Sequence, residues 1–157
     1  MNEEDIESAS IVHKEAFIRQ AKSNEWLKCS NAGYPKTISY VAVLGNQIIG
    51  YVLWTQKSGF RPEVVLELEQ IAVLPKYHGQ GIATKIIQDS LPKVSNTINS
   101  SGQCIKHVMV TTRADNYAQS LYSKVLNADV EATITNLYSE DEVIMVSRYI
   151  NIKTFSS

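Results

Sequence analysis

The most constraining feature of this sequence is an apolar run, a glycine-bearing turn and an amphipathic helix in direct succession. The run Val64 to Leu74 is closed by Pro75, and Gly79 and Gly81 then precede the helical pattern. Small residues at a helix start let an anion approach the unpaired first-turn amides and the positive end of the helix dipole. The segment therefore indicates either a phosphate cradle or an ordinary tight turn that needs glycine for its geometry.

A Rossmann dinucleotide site fits this segment poorly. The pattern Gly79-x-Gly81-x-x-Thr84 lacks the third small residue of that fingerprint, and several strands precede it. The ribose-binding acidic residue is expected about 20 residues further on, where residues 97–101 include no acidic side chain. We therefore set the dinucleotide reading aside.

The whole chain reads as α-α-β-β-β-α-β-α-β-β. Apolar residues at three- and four-residue steps predict a first helix, capped by Asn2 or Asp5. Trp26 and Leu27 lie in a short second helix, and Pro92 is expected to kink or end the third. The predicted strands are Tyr40–Leu44, Ile48–Trp54, Val64–Leu74, Ile105–Thr112, Val130–Thr135 and Val143–Ile150.

Composition excludes several classes of protein. The chain has 157 residues and a net charge of -1, so we expect one domain over 1–150, a loosely ordered tail over 151–157, and no nucleic-acid partner. No run of about 18 apolar residues occurs, so no membrane partner is expected. An acidic, polar N-terminus and two distant cysteines, Cys29 and Cys104, favour a reducing cytoplasmic setting. Histidine spacing predicts no metal site.

Residues 66–87 resemble the acyl-CoA-binding motif of the GNAT superfamily of N-acetyltransferases. Gly81 and Ala83 stand in its two small-residue slots, whereas His78 stands in a Gln/Arg slot. The order of elements is similar to that family over nearly the whole chain, except that its usual first strand is missing. The resemblance implies an α/β (α+β) fold with a mixed, mostly antiparallel six- to seven-stranded sheet, about four helices and a splayed central strand pair that holds CoA.

The same resemblance implies how acetyl-CoA would be held, with no metal. The pyrophosphate would bind backbone amides of His78, Gly79, Gln80, Gly81, Ile82, Ala83 and Thr84. The strand edge at Ile71, Ala72 and Val73 would pair with the pantetheine arm and direct an amide at the acyl carbonyl. A fixed amide there can stabilise the oxyanion of a tetrahedral intermediate. The side chains of Ile71 and Val73 also fit a simple core role.

A second family motif, a helix containing Asn-x-x-Ala-x-x-Leu-Tyr, is similar to residues 115–127. Anchoring on Asn116 puts Ser123 in the tyrosine slot; anchoring on Ala118, Leu121 and Tyr122 puts Asp115 in the asparagine slot. The second register buries a regular helical stripe, so it is preferred. By the resemblance, Asp115 and Asn116 lie at the cofactor and Tyr122 protonates the departing CoA thiolate; a core tyrosine is the alternative.

Glu67 and Glu69 are candidates for the general base. They have the same parity as Ile71 and Val73, which predicts that all four side chains face one side of the strand. Two carboxylates about 7 Å apart on one face disfavour each other's charged form. A solvated polar strand end is an equal alternative, because many relatives use water chains as the base.

The implied activity is transfer of an acetyl group from acetyl-CoA to a primary amine, by direct attack. The acceptor would be a small molecule or a peptide, and Trp26, Tyr34, Tyr138 and the acidic tip Glu140–Glu142 would suit a cationic amine. An acyl-CoA-binding sensor without turnover is the main alternative, and a longer-chain acyltransferase is a lesser one. A homodimer is among the expected assembly states.

Overall fold

A computed structural model describes residues 1–148. Within them, two short 3-10 turns (Glu3–Asp5 and Pro75–Tyr77) accompany four α-helices and six strands. The helices are α1 (Ile6–Ala16), α2 (Ser23–Ala32), α3 (Ile82–Ser100) and α4 (Ala118–Leu126). The strands are β1 (Thr37–Leu44), β2 (Gln47–Gln56), β3 (Glu63–Val73), β4 (Cys104–Arg113), β5 (Asp129–Ile134) and β6 (Glu142–Arg148).

The strands form one six-stranded sheet in the order β1-β2-β3-β4-β6-β5. The pairs β1–β2, β4–β6 and β5–β6 are antiparallel, and β3–β4 is parallel. A parallel pair requires a crossover connection, which α3 supplies. The predicted fold class, a mixed and mostly antiparallel sheet flanked by four helices, is confirmed.

The chain divides into two compact units, and β3 and α3 each run through both. The first unit comprises residues 1–55 and 70–90. Its core joins one face of the β-hairpin to the two N-terminal helices, and its members are Ile6, Ala9, Val12, Leu27, Ile49, Tyr51, Leu53, Ala72 and Leu74. This apolar face explains why the three-and-four spacing of α1 predicted a buried stripe.

The second unit comprises residues 56–69 and the chain from Leu91 onward. Alternate residues of β3 (Val64, Leu66 and Leu68) and of β4 (Val108 and Val110) are buried, as period-two patterning requires. The helix α4 ends at Leu126, and its C-cap Asn127 adopts a left-handed conformation (φ 53°), which Asn tolerates better than most residues.

Several local predictions needed correction. Asn2 caps the 3-10 turn by accepting from Asp5 N–H, and Asp5 makes no side-chain cap for α1. Pro92 lies inside α3, which continues to Ser100, so the expectation that it ends the helix was wrong. The last two residues of the final predicted strand and the tail 151–157 lie outside the described residues, and the single domain over 1–150 stays a prediction.

Candidate active site

The glycine turn has the backbone conformation that the sequence required. Gly79 and Gly81 both have φ of 75°, a left-handed conformation that side chains other than hydrogen disfavour. A Cβ atom at either position would meet nothing within 4 Å, so space is open above the turn. The Gly81 carbonyl accepts from Lys85 N–H at 3.0 Å and begins α3. The amides after Gly81 therefore form the first helical turn, which has no intrahelical acceptors.

The His78 side chain closes the turn against the end of β3. Its Nε2 lies 2.8 Å from the Val73 carbonyl oxygen, and because a carbonyl only accepts, Nε2 carries the proton. The backbone N–H of His78 also donates to the Pro75 carbonyl at 3.1 Å. The sequence indicated only that His78 departs from the family pattern. The structure shows that its imidazole ties the predicted pantetheine strand to the predicted pyrophosphate turn.

The strand β3 contains one residue more than its partner β2. Lys57 N–H donates to Val65 O and Leu74 N–H donates to Ile49 O. The nine residue steps from Val65 to Leu74 therefore lie opposite the eight steps from Ile49 to Lys57. Burial alternates up to Leu68 and then fails over Glu69–Ile71, which are all half-buried. Such an extra residue is a β-bulge, and it reverses the face on which later side chains lie.

This bulge overturns the prediction that Glu67, Glu69, Ile71 and Val73 share one face. Glu67 contacts Lys57, which directly follows β2. Lys57 is an even number of residues from Tyr51, so it lies on the same face as this core residue. Val73 lies against Gly50, on the opposite face of β2. A Cβ atom added at Gly50 would contact the Val73 side chain and would lie 3.0 Å from Ile86 Cδ1. Period-two counting failed because an inserted residue leaves no mark in the apolar pattern.

The parallel ladder between β3 and β4 is short. It runs from the pair Glu63–Cys104 to the pair Glu67–Met109, whereas β3 itself extends to Val73 and β4 to Arg113. Ile71, Ala72 and Val73 therefore lie beyond the last pair of the ladder, and Glu67 lies at its end. Ala72 and Val73 are buried and Ile71 is half-buried, which agrees with a core role for their side chains.

Glu67 forms an ion pair with Lys57. The Lys57 Nζ lies 2.8 Å from Glu67 Oε2, and the Glu67 side chain is only 13% exposed. The hydrogen bond that Lys57 donates to Glu67, together with the smaller effects of the Glu67 and Glu69 charges, outweighs desolvation and raises the pKa of Lys57. Lys57 therefore keeps its positive charge beside Glu67.

Tyr122 is the buried polar residue of α4. Its side chain is 6% exposed, and burial raises the pKa of its phenol to about 12. The phenol therefore carries its proton throughout the neutral range. Ser123 is exposed while Tyr122, Val125 and Leu126 are buried, so the burial of α4 agrees better with the register that places Tyr122 in the tyrosine slot.

Asp115 and Asn116 shape the turn that leads into α4. The carboxylate of Asp115 accepts two hydrogen bonds from the Arg113 guanidinium, at 3.0 and 2.8 Å. The Asn116 Oδ1 accepts from Ala118 N–H at 2.9 Å, and its amide nitrogen donates to Thr112 Oγ1 at 3.1 Å. Both side chains are exposed but engaged with their neighbours.

A polar network near α1 and α2 was missed by the sequence reasoning. Gln70 Oε1 accepts from Tyr51 Oη and from Trp26 Nε1, each at 2.9 Å. The network continues from Gln70 to Gln20 and from Gln20 to His13, which is fully buried. Among these residues, only Trp26 was predicted to contact the acceptor amine. The one indication of the network in the sequence was a glutamine, Gln70, inside an apolar strand.

Most of the acidic tip that was predicted to bind a cationic acceptor instead makes contacts within the protein. Glu142 is buried at the start of β6, opposite Arg113 in the ladder. The Asp141 side chain accepts from Asn136 N–H at 3.0 Å, and its carbonyl accepts from Ala114 N–H. Tyr34 and Tyr138 are exposed. The tip is therefore not a free cluster of three carboxylates.

Among residues 1–148, no group of three or more His, Cys, Asp or Glu side chains could hold a metal ion. In that same part of the chain, no helix combines the length and apolarity needed to cross a bilayer.

An open mixed sheet, a parallel pair joined by a long helix, and a left-handed glycine turn at that helix start define an acyltransferase fold. The chain belongs to the acetyltransferase (GNAT) family, whose model matches residues 6–127. It is 29% identical over 111 residues to an N-alpha-acetyltransferase from Saccharolobus solfataricus, an alignment covering 66% of this chain and 63% of that protein. The chain thus spans less than two thirds of this relative's length.

Solved structures share the fold at low sequence identity. The ribosomal-protein-S18-alanine N-acetyltransferase from Escherichia coli superimposes with a TM-score of 0.72 at 16% identity, over 94% of this chain and 90% of that one. An aminoglycoside 6'-N-acetyltransferase complexed with coenzyme A has a TM-score of 0.73 at 13% identity, over 95% and 93%. These similarities show the fold of the family to which the chain belongs.

Proposed function

We propose that this enzyme transfers an acetyl group from acetyl-CoA to the α-amine of a peptide or protein. The acetyl-CoA half of this proposal rests on the turn with Gly79 and Gly81 at φ 75° before α3. Its amides fit a pyrophosphate, which binds where a helix start presents unpaired N–H groups. The acceptor half is supported by the relative that is named an N-alpha-acetyltransferase and by the commitment of the acidic tip to the fold.

Each group of this chain has a defined role in the proposal. Acetyl-CoA supplies the activated thioester. The amides of Gly79 to Thr84 bind the pyrophosphate, whereas the predicted His78 amide already donates to Pro75. The β3 backbone at Ile71–Val73, beyond the ladder with β4, orients the acyl group and stabilises negative charge on its oxygen. Asp115 and Asn116 fix the turn before α4.

Proton transfer completes the mechanism. Glu67 or Glu69 accepts a proton from the acceptor amine, directly or through water, and the amine then attacks the thioester without a covalent enzyme intermediate. Tyr122 Oη donates a proton to the leaving sulfur; its phenol is buried and protonated, as a general acid requires. A cytoplasmic setting and a homodimer stay predictions.

A thiol-release assay paired with acetyl-CoA calorimetry tests the proposal. We expect saturable acetyl-CoA binding and CoA release that depends on peptides with a free α-amine, with slower release for the same peptides blocked at that amine. Spermidine and an aminoglycoside serve as small-amine controls. Binding without turnover on any acceptor would contradict the activity, and no binding at all would contradict the cofactor assignment as well.

A further inference from the structure

A second concave surface lies beside the candidate base residues and is not used by the mechanism above. It is a groove of about 650 Å³ between the loop after β2 and the starts of β3 and β4. Val65 and Met109 contribute apolar surface to it, and Lys57, Arg61, Lys106 and His107 contribute cationic or polar groups. Lys57 connects the groove to the site, because its ammonium lies 2.8 Å from Glu67.

The charges of the groove are unequal. Three permanent cations face one carboxylate in its lining, Glu63, whose oxygen lies 3.4 Å from Lys106 Nζ with both side chains about half exposed. Arg61 donates through Nε to the Ser58 carbonyl, and within residues 1–148 it forms no ion pair. The Nη groups of its guanidinium are therefore available to bind an anion.

His107 provides a second, independent observation. Its Nδ1 is buried and has no hydrogen-bond partner within the described chain, and its ring lines the groove. An unpaired buried polar atom costs about 1–3 kcal/mol in general, so such atoms are uncommon in native structures. Because this nitrogen is buried, a ligand in the groove would satisfy it once the ring turns to present it.

We infer that this groove binds acidic side chains of the acceptor peptide, downstream of the amine that is acetylated. The inference rests on the proposed function, because it places the amine near Glu67. From Glu67 to Glu63 the strand covers four steps, or about 13 Å. An extended peptide laid along this length places its third to fifth residues beside Arg61 and Lys106. The small-molecule amines considered above carry no carboxylate that could pair with these cations.

The test compares acceptor peptides that differ only at positions three to five. One peptide carries Asp and Glu there, the second carries Asn and Gln, and the third carries Lys. We measure kcat/KM by thiol release and, separately, the Kd of each fluorescein-labelled peptide by anisotropy in the presence of CoA. We expect the acidic peptide to bind about tenfold more tightly than the neutral one, and less so at high salt.

Two variants locate the effect. The double variant Arg61→Glu/Lys106→Glu should reverse the order, so that the Lys peptide binds best, while Lys14→Glu on the exposed face of α1 should keep the wild-type order. His107→Leu should weaken the acidic peptide with a melting temperature equal to or above that of the wild type, since it removes an unsatisfied buried atom. A merely structural histidine would lower the melting temperature instead.

The outcomes separate this inference from the proposed function. Turnover of all three peptides with equal kcat/KM and equal Kd would overturn the groove assignment and leave the activity intact. Charge-selective binding that is reversed by the double variant supports the groove even if no peptide is turned over. A single-stranded oligonucleotide that displaces the acidic peptide, with acetylation independent of peptide charge, would assign the cations to nucleic acid and overturn the inference.

Discussion

The imidazole of His78 is hydrogen-bonded to the carbonyl of Val73, with 2.8 Å between Nε2 and oxygen. This bond crosses from the glycine turn to the last residue of β3. A side chain at this position therefore fixes the spacing between two backbone segments that the proposal assigns to the same cofactor. The family resemblance alone indicated only that this residue departs from a Gln/Arg slot.

We predict that His78→Ala raises the Kd for acetyl-CoA several-fold, because the turn loses a bond of about 1 kcal/mol. His78→Gln is the matched control, since its amide can still donate to the Val73 carbonyl. Calorimetry on both variants checks the prediction. Equal weakening by Ala and Gln would show that the ring's shape, not its hydrogen bond, matters.

Gly81→Ala should lower acetyl-CoA affinity through strain. An alanine at φ 75° costs about 1–2 kcal/mol, and the amides that follow would be redirected as the backbone relaxes. Gly59→Ala, at φ 96° in a loop with equally open space, is the matched control. Both variants should melt at lower temperature, and only Gly81→Ala should bind acetyl-CoA more weakly.

Tyr122→Phe should lower kcat about 100-fold and leave the Kd for acetyl-CoA nearly unchanged. This pattern marks a group that acts mainly in the transition state. The control is Tyr117→Phe, a tyrosine that is 94% exposed. An unchanged kcat in Tyr122→Phe would remove the general-acid role and leave a core tyrosine.

Glu67→Gln should lower kcat by about tenfold or more, and by more than Glu69→Gln, because Glu67 is the carboxylate at the end of the β3–β4 ladder. Losing its ion pair with the 44% exposed Lys57 should change the free energy of unfolding by less than about 1 kcal/mol. Steady-state rates and urea unfolding are measured on the same preparations. A loss of stability that matches the loss of kcat would contradict the base assignment.

Stability should fall on the alkaline side. Unfolded tyrosines release their protons near pH 10, whereas burial raises the pKa of Tyr122 to about 12 and that of Tyr51 further. Above pH 10 the unfolded state therefore binds fewer protons than the folded state, so the free energy of unfolding decreases as pH rises. Below pH 10 this stabilisation is fully present.

Urea unfolding from about pH 8 to about pH 11 measures this slope. Tyr122→Phe should reduce the slope, and Tyr117→Phe should leave it unchanged because that side chain is exposed in both states. A slope that is identical in wild type and Tyr122→Phe would show that the phenol of Tyr122 is not protected from solvent.

Most of the fold follows from patterns that depend on nearby residues. The stripe of α1, the hairpin around Gly45 and the left-handed cap at Asn127 each arise from local periodicity or turn chemistry, and the structure has all three. The glycine turn is equally local. These features were predictable because the residues that determine them lie within a few positions of one another.

The features that escaped prediction depend on tertiary partners. Nothing in the local pattern indicates that Lys57 pairs with Glu67, that Gln70 accepts from both Tyr51 and Trp26, or that Asp141 bonds to the backbone. The possibility that Pro92 ends α3 failed for a similar reason. Tertiary packing of the helix outweighs the loss of one helical hydrogen bond. Such contacts become visible only once the strands are aligned.

The extra residue of β3 has a consequence for how such an enzyme can diversify. Positions 65, 67 and 69 project to one face of the strand, while positions 71 and 73 project to the other. Substitutions in the first set can accumulate under selection for new acceptors without disturbing the packing of the second. A library randomised at these three positions should therefore retain folded, acetyl-CoA-binding clones far more often than one randomised at Ile71 and Val73.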